Sequence, residues 1–282
     1  MEKLKVYDSA KTFWNEASPS LKQDEAKNSL CLGLSYVFQT NPEDCLYQSA
    51  LFDGDHLLGA LVCSRYRTNH NLLPTPISKP EYAQILFKKF KESNIPITGV
   101  VGELETANKY KKLINECGWA TKVHLKQGIY RCKRVIQPEE QHGIVFRRAE
   151  ERDIQKIGEW IESFHYEAVP HDPPINGVEQ AENRIKKGMV FVVEKDGALV
   201  SMSCWSRDIE TSASVNLVFT PKPLRKRGYA SIATAQLTQH LLDHGKRETN
   251  LYTDMSNPTS NKIYQEIGYE FVCDSIHLGV QS

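Results

Sequence analysis

The chain is expected to be an α/β (α+β) protein built from two tandem copies of one strand-and-helix unit. Three observations carry that expectation. Short apolar, β-branched runs alternate with segments of helical spacing along the 282 residues, the pattern of mixed layers packed on each other. Asp53-Gly54 and Asp196-Gly197 each stand between two apolar runs, the strongest short-range signal for a hairpin. Each half then closes a late helix with glycine and an aromatic residue, Gly118-Trp119 and Gly268-Tyr269. Duplication accounts for the matching order. The alternative is two unrelated α/β segments that share a common sequence of elements.

In the first half, residues 1–40 read as helical, with a short amphipathic piece at 10–14 and a longer one at 26–38. Asn41-Pro42 breaks the pattern. A hairpin follows: a strand over 45–52, the Asp53-Gly54 turn, and a strand over 56–67. Residues 69–76 are turn-rich. Helical spacing of Ile85, Leu86 and Phe90 predicts an amphipathic helix over 82–93. A strand is expected at 96–101, a helix at 107–117 with Gly118 as its C-cap, and a strand at 128–134. Residues 135–142, with Pro138, Glu139 and Glu140, read as a linker. The domains expected are therefore 1–137 and 143–282.

In the second half, a strand at 143–148 leads to a helix over 151–166, whose Ile154, Ile157, Trp160, Ile161 and Phe164 form one apolar side. Residues 169–177 hold Pro170, Pro173 and Pro174 and must be a loop. A helix over 178–187 and a hairpin of 189–194 and 198–205 follow. Val215, Leu217, Val218 and Phe219 read as a strand, stopped by Pro221 and Pro223, which cannot donate to a ladder. Arg225-Lys226-Arg227-Gly228-Tyr229-Ala230 comes next, and Ala230, Ala233, Leu237 and Leu241 fall at helical spacing. A short strand at 251–253 leads to Asn257, a good N-cap, with Pro258 at the favoured first helical position and Gly268 closing the helix. Asn257, Asn261 and Tyr264 lie four and three residues apart and share one face.

A strand, a basic glycine-containing turn and a helix N-terminus in succession suit an anion. The first turn of a helix has unpaired N–H groups and the positive end of the macrodipole. Gly228 lacks a Cβ and small Ala230 leaves the same access, so phosphate oxygens can approach the backbone. Arg225, Lys226 and Arg227 add charge, and a pyrophosphate is the expected guest. The plainer alternative is a basic surface turn before a helix.

Arg225-x-x-Gly228-x-Ala230, after a strand ending in Val-Phe-Thr-Pro, resembles the acyl-CoA signature Gln/Arg-x-x-Gly-x-Gly/Ala of the GNAT superfamily of N-acyltransferases. Asn257-x-x-x-Asn261-x-x-Tyr264 followed by Gly268-Tyr269 resembles that family's later segment, and the likeness runs from about residue 143 to the C-terminus. It implies that each half is a mixed, mostly antiparallel twisted sheet flanked by helices. It also implies that 143–282 transfers an acetyl group from acetyl-CoA to a primary amine of a small molecule or peptide. Val218, Phe219 and Thr220 would lie beside the pantetheine arm, with the N–H of Val218 or Phe219 on the thioester carbonyl. Backbone N–H groups of Lys226, Arg227, Gly228, Tyr229, Ala230 and Ser231, with the charge of Arg225, would hold the pyrophosphate. Asn257 and Asn261 would contact the CoA arm, and Tyr264 would protonate the departing thiolate. For the base the central strand offers only Ser214 and Asn216. His165, Glu167, His171 and Asp172 cluster around the proline-rich loop, either as base candidates or as solvated loop residues.

The first half lacks these groups. Ser78-Lys79-Pro80-Glu81 stands where the basic turn would be. Aligned on the closing glycines, Ala107, Lys111 and Ile114 replace Asn257, Asn261 and Tyr264. Residues 1–137 are thus expected to be a degenerate copy that supports the site or shapes the substrate pocket. The alternative for the whole chain is a non-catalytic acyl-CoA-binding or sensing protein.

Composition narrows the setting. Lysine plus arginine equals aspartate plus glutamate at 35 each, so bulk attraction to nucleic acid or a membrane surface is not expected. No apolar run reaches the length of a span, and the first residues lack a signal-peptide core. Seven cysteines without a Cys-x-x-Cys pair suggest neither a disulfide framework nor a zinc site, and a reducing cytoplasm fits. No metal is expected, and the chain is read as a monomer or homodimer.

Overall fold

The computed structural model describes residues 2–66, 68–168 and 173–281. In chain order the first ten elements are β1 (Glu2–Val6), α1 (Ala10–Leu21), α2 (Glu25–Val37), β2 (Cys45–Asp53), β3 (His56–Tyr66), β4 (Asn69–Pro74), α3 (Pro80–Lys91), β5 (Gly99–Glu103), α4 (Leu104–Glu116) and β6 (Ala120–Cys132). Then come β7 (Ile144–Arg148), α5 (Ile154–Ala168), α6 (Gly177–Lys186), β8 (Val190–Lys195), β9 (Ala198–Ser206), β10 (Ser212–Phe219), α7 (Tyr229–Asp243), β11 (Glu248–Asp254), α8 (Pro258–Glu266) and β12 (Glu270–Gln281). The second ten repeat the order of the first ten, element for element.

The elements fall into two compact units. The first holds Met1–Tyr130, Tyr252–Ser256 and Phe271–Ser282, and the second holds Arg131–Leu251 and Asn257–Glu270. These units depart from a linear division at 137 and 143: residues from Arg131 onward already belong to the second unit, and Tyr252–Ser256 belongs to the first. The last strand of the second repeat belongs to the first unit.

In the first unit the sheet runs β1-β2-β3-β4-β5-β12-β6. β4 and β5 pair in parallel, whereas β1–β2, β2–β3, β3–β4 and β5–β12 are antiparallel. Leu86 and Phe90 of α3 and Tyr110 and Ile114 of α4 pack against Leu61, Leu72 and Val100 of the sheet. Ile276, Leu278 and Val280 of β12 join this cluster. Their period-2 spacing puts all three on one face, which is why β12 completes this core. Two expectations are corrected here. Residues 2–6 form a strand rather than a helix, because β1 gains a partner in β2, from Glu2↔Asp53 to Val6↔Ser49. The turn-rich stretch at 69–74 is a strand, because β3 on one side and β5 on the other supply its ladder and its Leu72 and Leu73 are buried.

In the second unit the order is β11-β10-β9-β8-β7, with only β10 and β11 parallel. Adjacent residues of β8 serve opposite faces. Val190 and Val192 pack with Ile157, Trp160 and Ile161 of α5 and Ala181 of α6, whereas Phe191 and Val193 pack against Leu237 and Ile232 of α7. Arg147 on β7 pins the start of α5. Its Nη1 donates to Asp153 Oδ2 at 2.7 Å and its Nη2 to Glu194 Oε1 at 2.7 Å. Asp153 also accepts the backbone N–H of Glu150 in a reciprocal capping pair.

Candidate active site

The site is built on β10. Its parallel pairing with β11 holds for Ser212↔Glu248, Ala213↔Thr249 and Ser214↔Asn250 and then ends. β10 runs on to Phe219, paired only with β9 on its other edge, where the register slips between Asn216↔Cys204 and Phe219↔Met202. The slip is a β-bulge, and Leu217 sits in it at φ +46°. A left-handed leucine costs about 1–2 kcal/mol, a strain that folds retain where the surroundings impose it. The bulge also reverses the phase of the strand. Ala213 and Val215 face α7, as does Val218. Leu217 and Phe219 instead join the α5 cluster. Backbone groups of β10 past Ser214 thus lie on an edge that β11 no longer pairs.

Beyond β10 the chain is fixed by side chains. Ser201 Oγ donates to Phe219 O at 3.0 Å and lies 2.9 Å from Thr220 Oγ1. Arg225 Nε donates to Thr220 O at 2.9 Å, its Nη2 donates to Glu167 Oε2 at 2.8 Å, and its guanidinium lies 5.8 Å from the centre of the Phe219 ring. Arg225 therefore shapes the turn with its side chain, and Lys226 and Arg227, both exposed, add positive charge at its mouth. Lys226 and Gly228 are left-handed, at φ +62° and +80°. Gln141 Nε2 donates to Arg227 O at 2.9 Å and braces the turn from the linker.

Gly228 is the N-cap of α7 and supplies no side chain to its first turn. The first bond into the helix is Ile232 N–H to Gly228 O at 3.0 Å, so the N–H groups of Tyr229, Ala230 and Ser231 lie among the helix's unpaired first-turn donors. The Tyr229 side chain is buried with Val193, Val200 and Ile232. Only its backbone is available to a ligand.

On α8, Asn257 is the N-cap and its Oδ1 accepts the N–H of Ser260 at 3.1 Å. Asn261 stands one turn on, its N–H donating to Asn257 O at 3.2 Å. Tyr264 is half-buried, with its ring edge-on to Tyr269 at 6.0 Å. Tyr269 is held by Thr238 of α7 and Thr249 of β11, each 2.8 Å from its hydroxyl. Burial pushes the Tyr264 hydroxyl up to about 12, so it stays protonated at neutral pH.

Among the base candidates, Glu167 is ion-paired with Arg225 and lies 3.7 Å from Lys222. His165 Nε2 is 3.0 Å from Pro173 O. His171 and Asp172 lie outside the described residues. A cavity of about 610 Å³ opens between α5 and the end of β10, lined by Trp160, Ser163, Tyr166, Glu167, Phe219 and Lys222 among others. No group of three His, Cys, Asp or Glu able to hold a metal occurs among the described residues.

Sequence reasoning missed three contributors. Glu167 as the anchor of Arg225 is 58 residues away and Gln141 is 86 residues from Arg227, so no local signal joins them. The bulge at Leu217 has no glycine to announce it.

Comparison with known proteins meets this geometry. Residues 154–269 match the family model described as the acetyltransferase (GNAT) family. No curated protein matches the chain. Among solved structures, a GCN5-related N-acetyltransferase from Sphaerobacter thermophilus is 13% identical, with 99% of this chain and 95% of that one covered at a TM-score of 0.65. An acetyltransferase of the GNAT family from Colwellia psychrerythraea is 15% identical, with 99% and 100% covered and a TM-score of 0.59. A tandem GNAT protein from the clavulanic acid biosynthesis pathway is 9% identical, with 99% and 98% covered and a TM-score of 0.60. At such identities the likeness is one of fold, and it extends over both repeats. Parted strands, bulge and bare helix end all lie inside the segment that matches the acetyltransferase (GNAT) family model.

Proposed function

We propose that the second unit transfers an acetyl group from acetyl-CoA to a primary amine of a small molecule or peptide. The observation that carries this is the parting of β10 from β11 after Ser214↔Asn250, beside a helix end that Gly228 leaves bare. The fit to a pyrophosphate is physical: a Cβ at Gly228 would come within 3.0 Å of Gln141 Nε2, on the rim of the turn. N–H groups from Lys226 to Ser231 would hold the phosphates, with Lys226 and Arg227 adding charge. The unpaired edge at Val218, Phe219 and Thr220 would take the amides of the pantetheine arm as an added strand would. The N–H of Val218 or Phe219 would stabilise the charge that develops on the thioester oxygen. Asn257 and Asn261 line the arm from α8, and Tyr264 donates a proton to the departing sulfur.

Neither β10 nor its bulge supplies a base, and Glu167 is committed to Arg225. The amine therefore enters neutral or loses its proton to water. That same observation favours the second reading, a protein that binds acyl-CoA without turnover. The first unit offers no cradle and supports the site. A cytoplasmic monomer or homodimer, needing no metal, nucleic acid or membrane, completes the proposal. Calorimetry with acetyl-CoA should give one site per chain, and thiol release in the presence of amines separates the two readings. Two equivalent sites per chain would sink the assignment of the first repeat as degenerate.

A further inference from the structure

The cavity between α5 and the end of β10 has an apolar floor and charged walls. Trp160 and Phe219 form the floor, their ring centres 6.1 Å apart, with Pro221 beside them. Three carboxylates and two lysines line the walls. Lys156 Nζ lies 3.0 Å from Glu159 Oε2, and Lys222 Nζ lies 3.7 Å from Glu167 Oε1. Both lysines are thus answered within the wall itself. The remaining carboxylate, Glu162, meets no cation among the described residues. Its Oε1 accepts the N–H of Gly177 at 2.9 Å, and no described residue donates to its Oε2. That one bond fixes the group. Gly177 opens α6, which meets α5 through two glycines. A Cβ at Gly158 would come within 2.9 Å of Val178, and one at Gly177 within 2.6 Å of Glu162 Cγ. The bare contact brings the positive end of α6 onto the Glu162 carboxylate.

Glu167 marks the other end of the cavity. It holds Arg225, whose Nε donates to the carbonyl of Thr220, next to Phe219 at the end of β10. Along α5, Glu162 stands ~7.5 Å from Glu167 at about 1.5 Å of rise per residue. The cavity therefore offers the strand end at one side, an apolar floor between, and a fixed negative charge at the other side. We infer that the acceptor is a diamine or a longer polyamine. One neutral nitrogen reacts at the end of β10, the methylene chain lies over Trp160 and Phe219, and a second, protonated nitrogen sits on Glu162. A terminal carboxylate in that place would face Glu162 and find both lysines paired. This inference rests on the acyl-transfer reading above. The bond formed is the amide between the amine nitrogen and the acetyl carbon. The bond broken is the thioester C–S, and the thiol leaves with one proton from the reacting nitrogen.

The test uses the full chain with acetyl-CoA and amines of similar size and basicity: 1,5-diaminopentane, pentylamine, 5-amino-1-pentanol and 5-aminopentanoate. The diamine should exceed pentylamine and the amino alcohol in kcat/KM by about fivefold, as an exposed charge pair worth up to ~1 kcal/mol gives. The amino acid should be the poorest of the four. The diamine's advantage should lie in KM, because the second nitrogen binds alike in ground and transition states, and it should shrink as added salt screens the pair. The shorter 1,3-diaminopropane cannot reach both ends and should fall to the level of pentylamine. Glu162→Gln keeps an acceptor for the Gly177 N–H and loses the charge. The diamine preference should then disappear through a higher KM, with Tm and acetyl-CoA affinity unchanged. Equal use of pentylamine and 1,5-diaminopentane, a preference for 5-aminopentanoate, or a diamine preference that survives in folded Glu162→Gln overturns the inference and leaves acyl transfer standing. Acetyl-CoA binding with none of these amines acetylated rejects this class of acceptor. Failure to bind acetyl-CoA overturns the acyl-transfer reading and this inference together.

Discussion

The two repeats make the same crossing, strand to turn to helix to parallel strand, and use it differently. In the first unit β4 leads to α3 and returns to β5, with Asn71↔Gly99 and Leu72↔Val100 paired. In the second, β10 leads to α7 and returns to β11. The first crossing is filled with side chains. Thr75 Oγ1 accepts the N–H of Ala60 at 2.8 Å, Ile77 is buried in the core, and the N–H of Ile77 donates to Thr106 Oγ1 at 3.3 Å. Pro80 opens α3 and has no N–H to offer. No described residue between Asn69 and Pro80 has a positive φ. The second crossing has left-handed Leu217, Lys226 and Gly228, and its helix is capped by glycine where α3 has Lys79. Topology therefore makes the same crossing in both units, and local backbone decides whether its turn is filled or left open. The late helices differ in the same sense. Where α8 carries half-buried Tyr264, α4 carries Ile114, fully buried in the core.

Gly228→Glu breaks the comparison most sharply. It puts a side chain and a carboxylate at φ +80° where the phosphates would sit. Acetyl-CoA affinity should fall by about 1,000-fold, roughly 4 kcal/mol, and calorimetry on folded protein that shows wild-type affinity would place the cradle elsewhere. Ile114→Ala makes the converse point. It should lower the stability of the first unit by about 2–5 kcal/mol, measured by denaturant unfolding, while leaving acetyl-CoA affinity unchanged.

Tyr264→Phe keeps the ring and loses the hydroxyl. Its kcat should drop about 100-fold, the low end for a general acid, with little change in acetyl-CoA affinity. A kcat within twofold of wild type, with chemistry rate-limiting, would remove Tyr264 from the mechanism. Because burial holds that hydroxyl at about 12, a phenol kept neutral, the wild-type rate should show no loss attributable to its ionisation up to about pH 11.

A smaller effect separates the units by pH. Burial alone would raise the Asp153 carboxyl, but the bonds from Arg147 and from the N–H of Glu150 outweigh it and hold the group below its ordinary value. Its stabilisation is thus present above the unfolded value, about 4, and is lost as pH falls through the lower folded value. Hydrogen exchange at β7 and β8 should quicken in that window, and Arg147→Met should abolish the pH dependence there. The smallest change expected is from Pro80→Ala. It restores one N–H to α3, yet Ile77 still fills the turn, so acetyl-CoA stoichiometry should remain one.

Much of this was written locally. Asp53-Gly54 and Asp196-Gly197 turn the hairpins where expected, at β2–β3 and β8–β9. Asn257, Pro258 and Gly268 bound α8. These signals lie within a few residues of what they specify, as capping and turn chemistry must. The order of strand, basic turn and helix was legible for the same reason. What the tertiary structure decided depends on partners far away in the chain. β1 and β4 are strands because other strands pair with them, and Ile276, Leu278 and Val280 close the core of the repeat that precedes their own. The bonds from Arg225 to Glu167 and to the carbonyl of Thr220 join residues that no local signal connects. Leu217 accepts a left-handed backbone because the bulge carries it and Phe219 across to the α5 cluster, where both pack. Local propensity carries no information about that exchange, since the apolar contact that offsets the strain exists only once the sheet and its helix have met.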